Sequence, residues 1–377
     1  MRRGDEGLPG VSDARGACGV DLESVIANSR RIDALSGETG GEVAFLRDRD
    51  GGYVIGHGPF EERDSPPESG VAFYRNDFGL TDPMPWKVPS RVERMKTLDL
   101  PGVESDPLVV NWDGVTPEGF AEVFAEVTEA MGRGSIEKTV PVVTERGVVQ
   151  RGAVKSLVMR LRDLPEVLQG FGWIGEGGAF VGATPEKLLR LEDGVVETMA
   201  VAGTARTEDQ AVFEVDQKEI REHEYVAGSL AAKLSDIGIL KREARRVMRL
   251  GPLVHFQTPI QVSLFRAEEP GDLIRRLHPT PALGPLPRTG ESMEQLLEWR
   301  QRLGCPDSFG APFGLWCDGV LTVLVAIRMI SWKGGEVLLP AGCGVIAESR
   351  LVNEWRELRL KRDAVKAVFG IEEPPLA

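Results

Sequence analysis

The chain has 377 residues, of which 42% are apolar and 27% charged, the proportions of a folded globular protein with a large core. A formal net charge of −13 argues against nucleic acid or an anionic membrane as a main partner. It also means that a small anionic ligand needs a local positive site, from a metal or a few placed cations, because the field of the whole molecule repels it.

Residues 1–20 are Gly-rich, charged and without period, and are expected to be frayed. Their basic residues precede no apolar stretch of the secretory type, and no run approaches the length of a membrane span. Cys18, Cys305, Cys317 and Cys343 form no CxxC pair and no disulfide framework, which suits a reducing cytoplasm. EVAFLRDRDGGYVIG predicts two short strands around an Asp-Gly-Gly turn. The Pro-, Asp- and Ser-rich stretch 60–107 predicts long surface connections.

From about residue 116 the patterns sharpen. TPEGFAEVFAEVTEAMGRG has helical period, with Thr116 as N-cap and Gly132 as stop. IEKTVPVV predicts a strand in which Pro141 fits only an edge or a bulge, and LPEVLQG a short helix. Gly170, Gly172 and Gly175 spell GxGxxG, but a helical pattern precedes them and a strand follows. That is the reverse of the order that brings a helix N-terminus to a pyrophosphate, so they read as a Gly-rich turn and not a dinucleotide site. GAFVGATPE and KLLRLEDGVVETMAV predict strands with an Asp-Gly turn. KEIREHEYVAGSLAAKLSDIG and NEWRELRLKRDAVKAVFG predict long helices, and LTVLVAIRMISWKGGEVLLPAGCGVI a hairpin of long strands. With no repeat and no linker, the chain reads as a single α/β (α+β) domain with large antiparallel sheets.

Both long helices carry an anomaly. The stripes Glu219, Glu222, Val226, Leu230, Leu234 and Glu354, Glu357, Lys361, Val365, Val368 put carboxylates on the face that should meet the core. Either each pair is a solvated helix start favoured by the macrodipole, or the pairs converge into an oxygen-rich site suited to Mg²⁺ rather than zinc. Among the four histidines no zinc spacing appears; His278 lies in a Pro-punctuated loop that suits function, whereas His223 and His255 read as structural. Lys138 sits in an apolar strand. It either points to solvent or faces inward as a desolvated general base, and Glu186, at the turn after a strand, is a candidate acid. Arg328 is a cation in an otherwise apolar strand, with a solvated edge as the alternative.

FVGATPEKLLRL, MAVAGTAR, KEIREHEYV, LHPTPALGPLPR, VAIR, AGCGVI and EWRELRLK run in the order found in the chorismate-utilising enzymes, from about residue 130 to the C-terminus. The chain resembles that family, which includes isochorismate, salicylate, anthranilate and aminodeoxychorismate synthases. The resemblance implies two antiparallel sheets packed as a core sandwich flanked by helices, with residues 1–110 as a variable N-terminal part and 111–377 as the catalytic region. It implies Mg²⁺ between Glu222 and Glu357, with Glu219 and Glu354 holding its bound water, and the metal on the ring carboxylate of chorismate. It gives the other carboxylate to Arg328, Lys361 and the backbone at Gly342, and lines the ring and enolpyruvyl group with Gly203, Thr204 and His278.

Within the family, Lys138 stands where isochorismate and salicylate synthases carry the lysine that activates water for attack at C2; ammonia-using relatives typically have Gln. Glu186 then protonates the departing C4 hydroxyl. Ala202 stands where some aminodeoxychorismate synthases have a nucleophilic lysine. Ala282, Leu283 and Phe309 look more like isochorismate than salicylate synthase. The expected protein is a monomeric cytoplasmic isochorismate synthase supplying menaquinone or siderophore precursors. Salicylate synthase, an anthranilate-type aminase and a non-catalytic chorismate-binding homologue are the alternatives. Departures from the pattern are Pro141, Pro285, FGAPFG and Cys343, the last expected to make the site sensitive to oxidation.

Overall fold

In a computed structural model, residues 41–98, 107–154 and 156–374 are described. The predicted frayed segment lies outside them, as does Cys18. The fold is mixed α and β, and sheet dominates it. Eighteen strands form one continuous hydrogen-bonded ladder.

One arm of the ladder is built on β14 (Leu253–Leu264). One edge of it pairs with β12 (Gly238–Arg242) and β13 (Arg246–Leu250). Its other edge pairs with β11 (Val195–Arg206), which continues through β10 (Lys187–Glu192) and β16 (Val320–Val325) to β15 (Pro312–Cys317). Next come β3 (Val71–Arg75), β4 (Trp86–Met95), β2 (Tyr53–Arg63) and β1 (Val43–Arg47). The second arm runs from β8 (Gln169–Gly175) through β9 (Gly178–Thr184), β17 (Met329–Lys333), β18 (Glu336–Gly342) and β7 (Val142–Arg151) to β5 (Leu108–Trp112). β20 (Ile371–Glu372) closes that arm in parallel with β5. A separate pair joins β6 (Lys138–Thr139) to β19 (Val345–Ile346).

The expectation of two separate sheets is therefore corrected. The strands of the N-terminal part bridge the two arms, β3 to β15 at one end and β1 to β8 at the other, so the ladder never breaks. The arms still face each other. Phe313 on β15 meets Phe171 on β8 and Phe180 on β9, with ring centroids 5.8 and 5.5 Å apart, and the largest apolar cluster draws on both arms.

Seven helices lie among the described residues: α1 (Glu118–Gly132), α2 (Ser156–Met159), α3 (Gln210–Phe213), α4 (Gln217–Leu234), α5 (Pro270–Leu277), α6 (Gly290–Arg302) and α7 (Leu351–Phe369). α4 buries Val226, Ala227, Leu230 and Leu234 against the first arm, and α7 buries Leu358, Val365 and Phe369. Gly370 stops α7 in the left-handed conformation at φ 59°.

Several local expectations change. The stretch 60–107 holds β3, β4 and part of β2, because proline there falls at an irregularity: Pro89 faces Phe60, where the β2–β4 register shifts. GxGxxG lies within β8, paired on both edges, and is neither a turn nor a nucleotide loop. LPEVLQG is not helical; the short helix is α2, upstream of it. The N-cap of α1 is Pro117, not Thr116. Pro141 divides IEKTVPVV into β6 and β7, and the long C-terminal hairpin is four strands, β16 to β19, with Arg328 in a left-handed break (φ 53°) between β16 and β17 rather than in a strand.

Candidate active site

A cavity of about 70 Å³ lies between β11, β14, β18 and the inner faces of α4 and α7. Its lining includes Glu186, Gly203, Thr204, Glu222, His255, Ala282, Leu283, Phe309, Arg328, Gly342, Gly344 and Lys361. A wider mouth beside it is lined by Thr204, Lys218, Glu219, Glu354 and Glu357. The predicted set is therefore brought together with two exceptions: Lys138 lies sealed behind the lining residue Glu222, which it contacts, and His278 is farther back. His278 does not line the cavity; it is buried behind the wall, where Nε2 donates to Phe78 O at 2.9 Å and the ring meets Phe78 edge-on.

Lys138 is fully buried. Both edges of its short strand are covered, by β19 on one side and by Leu286 on the other, where Leu286 N donates to Lys138 O at 2.8 Å. The side chain turns inward and Nζ donates to Glu222 Oε1 at 3.3 Å. The solvent-facing alternative is excluded. Gly344 makes this approach possible: a Cβ there would collide with both the Glu222 carboxylate and the Lys138 ammonium. Gly203 is held at φ 76° where the register of β11 with β14 shifts, and Thr204 N there donates to Glu219 Oε2 at 3.0 Å.

The carboxyls are buried to different electrostatic ends. Burial pushes Glu186 up to about 7, against the weaker pull of a 3.5 Å contact from Thr280 Oγ1 and the Lys138 charge. Burial acts upward on Glu222 too, but Lys138, Lys218 and Lys361 outweigh it and hold this carboxylate down, at about 2. Glu219 and Glu354 are both raised to about 7, by burial and by the neighbouring carboxylates Glu222 and Glu357 respectively.

Lys361 Nζ donates to Glu357 Oε1 at 2.6 Å and to Gly342 O at 2.8 Å, which ties α7 to the end of β18. Arg328 Nη2 donates to His255 Nε2 at 3.1 Å, and His255 Nδ1 donates to Gly203 O at 2.8 Å. Burial, with the Arg328 and Lys361 charges, lowers His255 to about 3, so the ring is neutral and can accept from the guanidinium. Cys343 is fully buried and its thiol is pushed well above its ordinary value, so the expected oxidation sensitivity is reversed: a buried protonated thiol is inert.

Three residues of this site escaped the sequence reading. His255 sits in a run of six buried strand residues that offers no period to mark it. Gly344 is one glycine among many. Lys218 reads as the ordinary i,i+4 partner of Glu222, yet its Nζ lies 3.0 Å from Glu219 Oε1, 3.1 Å from Glu222 Oε2 and 3.4 Å from Glu354 Oε1. The glutamates thus gather around an ammonium, and among the described residues no three His, Cys, Asp or Glu donors converge on one metal position.

The salicylate biosynthesis isochorismate synthase of Pseudomonas aeruginosa is 34% identical over 215 residues, covering 52% of this chain and 44% of that protein. An isochorismate synthase of Bacillus subtilis is 31% identical over 234 residues, covering 58% of this chain and 48% of its own length. The chain thus spans about half the length of the curated relatives it matches. The menaquinone-specific isochorismate synthase of Escherichia coli superposes with a TM-score of 0.74 at 18% identity, covering 90% of this chain and 91% of that one. Component I of the anthranilate synthase of Streptococcus pneumoniae shares the fold at a TM-score of 0.60 and 15% identity, covering 82% of each chain. Residues 88–370 match the family described as chorismate binding enzyme, and the chain belongs to that family.

Proposed function

We propose that this protein is an isochorismate synthase, converting chorismate to isochorismate with Mg²⁺. The observation that carries the reading is a buried pair: Lys138, sealed beside the cavity and aimed at its lining residue Glu222, and Glu186, a lining carboxyl that burial keeps protonatable near neutral pH. The names of the relatives above support the same reaction.

The donor set suits a hard divalent cation. The four glutamates offer only oxygen, and Glu354 Oε2 is buried without a partner, an acceptor left open for a ligand. Glu222 and Glu357 would hold the metal, with Glu219 and Glu354 accepting from its water. When bound, Mg²⁺ supplies positive charge for the ring carboxylate of the substrate, which an acidic protein otherwise repels. Arg328, steadied by His255, and Lys361 face the second carboxylate.

In the reaction, Lys138 in its neutral amine form takes a proton from a water whose oxygen forms a bond to ring C2. Both ring double bonds shift by one position, the C4–oxygen bond breaks, and Glu186 delivers a proton to the departing hydroxyl, so that one water enters and one leaves. The near-isolated position of Glu186, with only Thr280 within hydrogen-bond reach among the described residues, leaves its proton available for that transfer.

The test is incubation of the purified protein with chorismate and Mg²⁺, with products separated by chromatography. Isochorismate as the product, with a 10²–10⁴-fold loss of turnover in Lys138→Ala, is expected for loss of a general base. Salicylate with pyruvate would instead mark a salicylate synthase. Anthranilate formed from ammonium, or full activity in Lys138→Ala, would overturn the reading.

A further inference from the structure

We propose that Lys218 is a built-in counter-ion that occupies the metal's place in the metal-free protein and must swing out when the metal binds. The proposal rests on the reading of the four glutamates as a magnesium site.

The geometry is specific. Lys218 is the second residue of α4, and Nζ reaches carboxylates on two helices at once: Glu219 and Glu222 of α4, and Glu354 of α7. Four glutamates drawn together without a cation would repel strongly, and a buried carboxylate is costly unless it is paired. An ammonium with three donors satisfies that need for Glu219, Glu222 and Glu354, while Lys361 pairs with Glu357. A magnesium ion needs oxygens at about 2.0–2.1 Å in a compact octahedron, so it cannot share those oxygens with an ammonium between them.

Lys218 also has a way out. Its side chain is 20% accessible and lines the mouth, whereas Lys138 is sealed and Lys361 is tied to both Glu357 and Gly342. Asp209, Asp216 and Glu348 line the same mouth and offer carboxylates to a displaced ammonium. The site is thus kept assembled in the absence of metal by a cation that can leave. The consequence is a metal affinity lowered by competition, with α4 and α7 already at their working separation before metal arrives.

The experiment compares wild type with Lys218→Met and Lys218→Arg. Mg²⁺ binding is measured by calorimetry, and thermal unfolding is followed with chelator and with saturating Mg²⁺. Lys218→Met is expected to bind Mg²⁺ at least tenfold more tightly, to melt several degrees lower without metal, and to show a larger rise in Tm on adding it. Lys218→Arg, which keeps the charge, is expected to stay at or below wild-type affinity. Because Lys218→Met can fail to fold without metal, a second measurement uses the wild type alone. Amine labelling of Lys218, read by peptide mass spectrometry, should increase with Mg²⁺ as the ammonium moves to the mouth.

Equal or weaker Mg²⁺ binding in Lys218→Met, or labelling that is unchanged or reduced by Mg²⁺, would overturn the proposal while leaving the metal site standing. If neither wild type nor Lys218→Met binds Mg²⁺ while both fold, the metal site itself falls, and the role of Lys218 with it.

Discussion

Glu186 and Glu222 lie on one cavity and are driven in opposite directions. Glu222 has three ammonium groups around it and stays ionised; Glu186 is desolvated with weaker compensation and keeps its proton up to about 7. Replacing Glu186 by Gln separates its two consequences. As the proton donor it is competent below about 7 and lost as pH rises through that value, so Glu186→Gln should lower kcat by about 10²–10⁴-fold and abolish that limb of the pH profile. Stability moves the same way. A carboxyl raised from 4.5 in the unfolded chain to about 7 in the fold favours the native state most below 4.5, and that contribution is lost as pH rises through 7. Denaturant titrations of Glu186→Gln against wild type should therefore show a difference that shifts in favour of the variant by on the order of 3 kcal/mol between pH 4.5 and pH 8. A difference independent of pH would show that folding leaves the Glu186 carboxyl at its unfolded-chain value.

At the scale of elements, the site depends on how α4 begins. Asp216 caps the helix, accepting from Lys218 N at 2.8 Å and Glu219 N at 3.2 Å, so one side chain sets the first turn that carries Lys218 and Glu219 and leads to Glu222. Asp216→Ala should cost about 1 kcal/mol by urea unfolding and raise the Mg²⁺ concentration needed for half-maximal activity. A stability loss without any change in Mg²⁺ dependence would separate the cap from the site. The two Glu-x-x-Glu helices were legible because a 3.6-residue period exposes a carboxylate on an apolar stripe. The inward turn of Lys138 was not, because a two-residue strand carries no alternation, and what decides its direction is the covering of both edges by residues far along the chain.

At the scale of the whole molecule, the cross-arm ring cluster is what holds the two arms of the ladder together. Phe313, on the first arm, is 1% exposed and touches Phe171 and Phe180 of the second arm and Phe73 of the bridging strand β3. Phe313→Ala should cost about 3–5 kcal/mol, read as a fall in the denaturation midpoint. A loss below about 1 kcal/mol would mean that the arms are held by their ladder alone.

The sequence by itself determined the family, the two acidic helices and most of the cavity lining, because each depends on short local patterns whose spacing survives in one dimension. Tertiary structure alone decided that the ladder is continuous, that His255 rather than His278 lines the cavity, and that Lys218 sits among the glutamates. Each of these is a contact between segments distant along the chain, fixed by burial and by which strand edges find partners, and no local period encodes it.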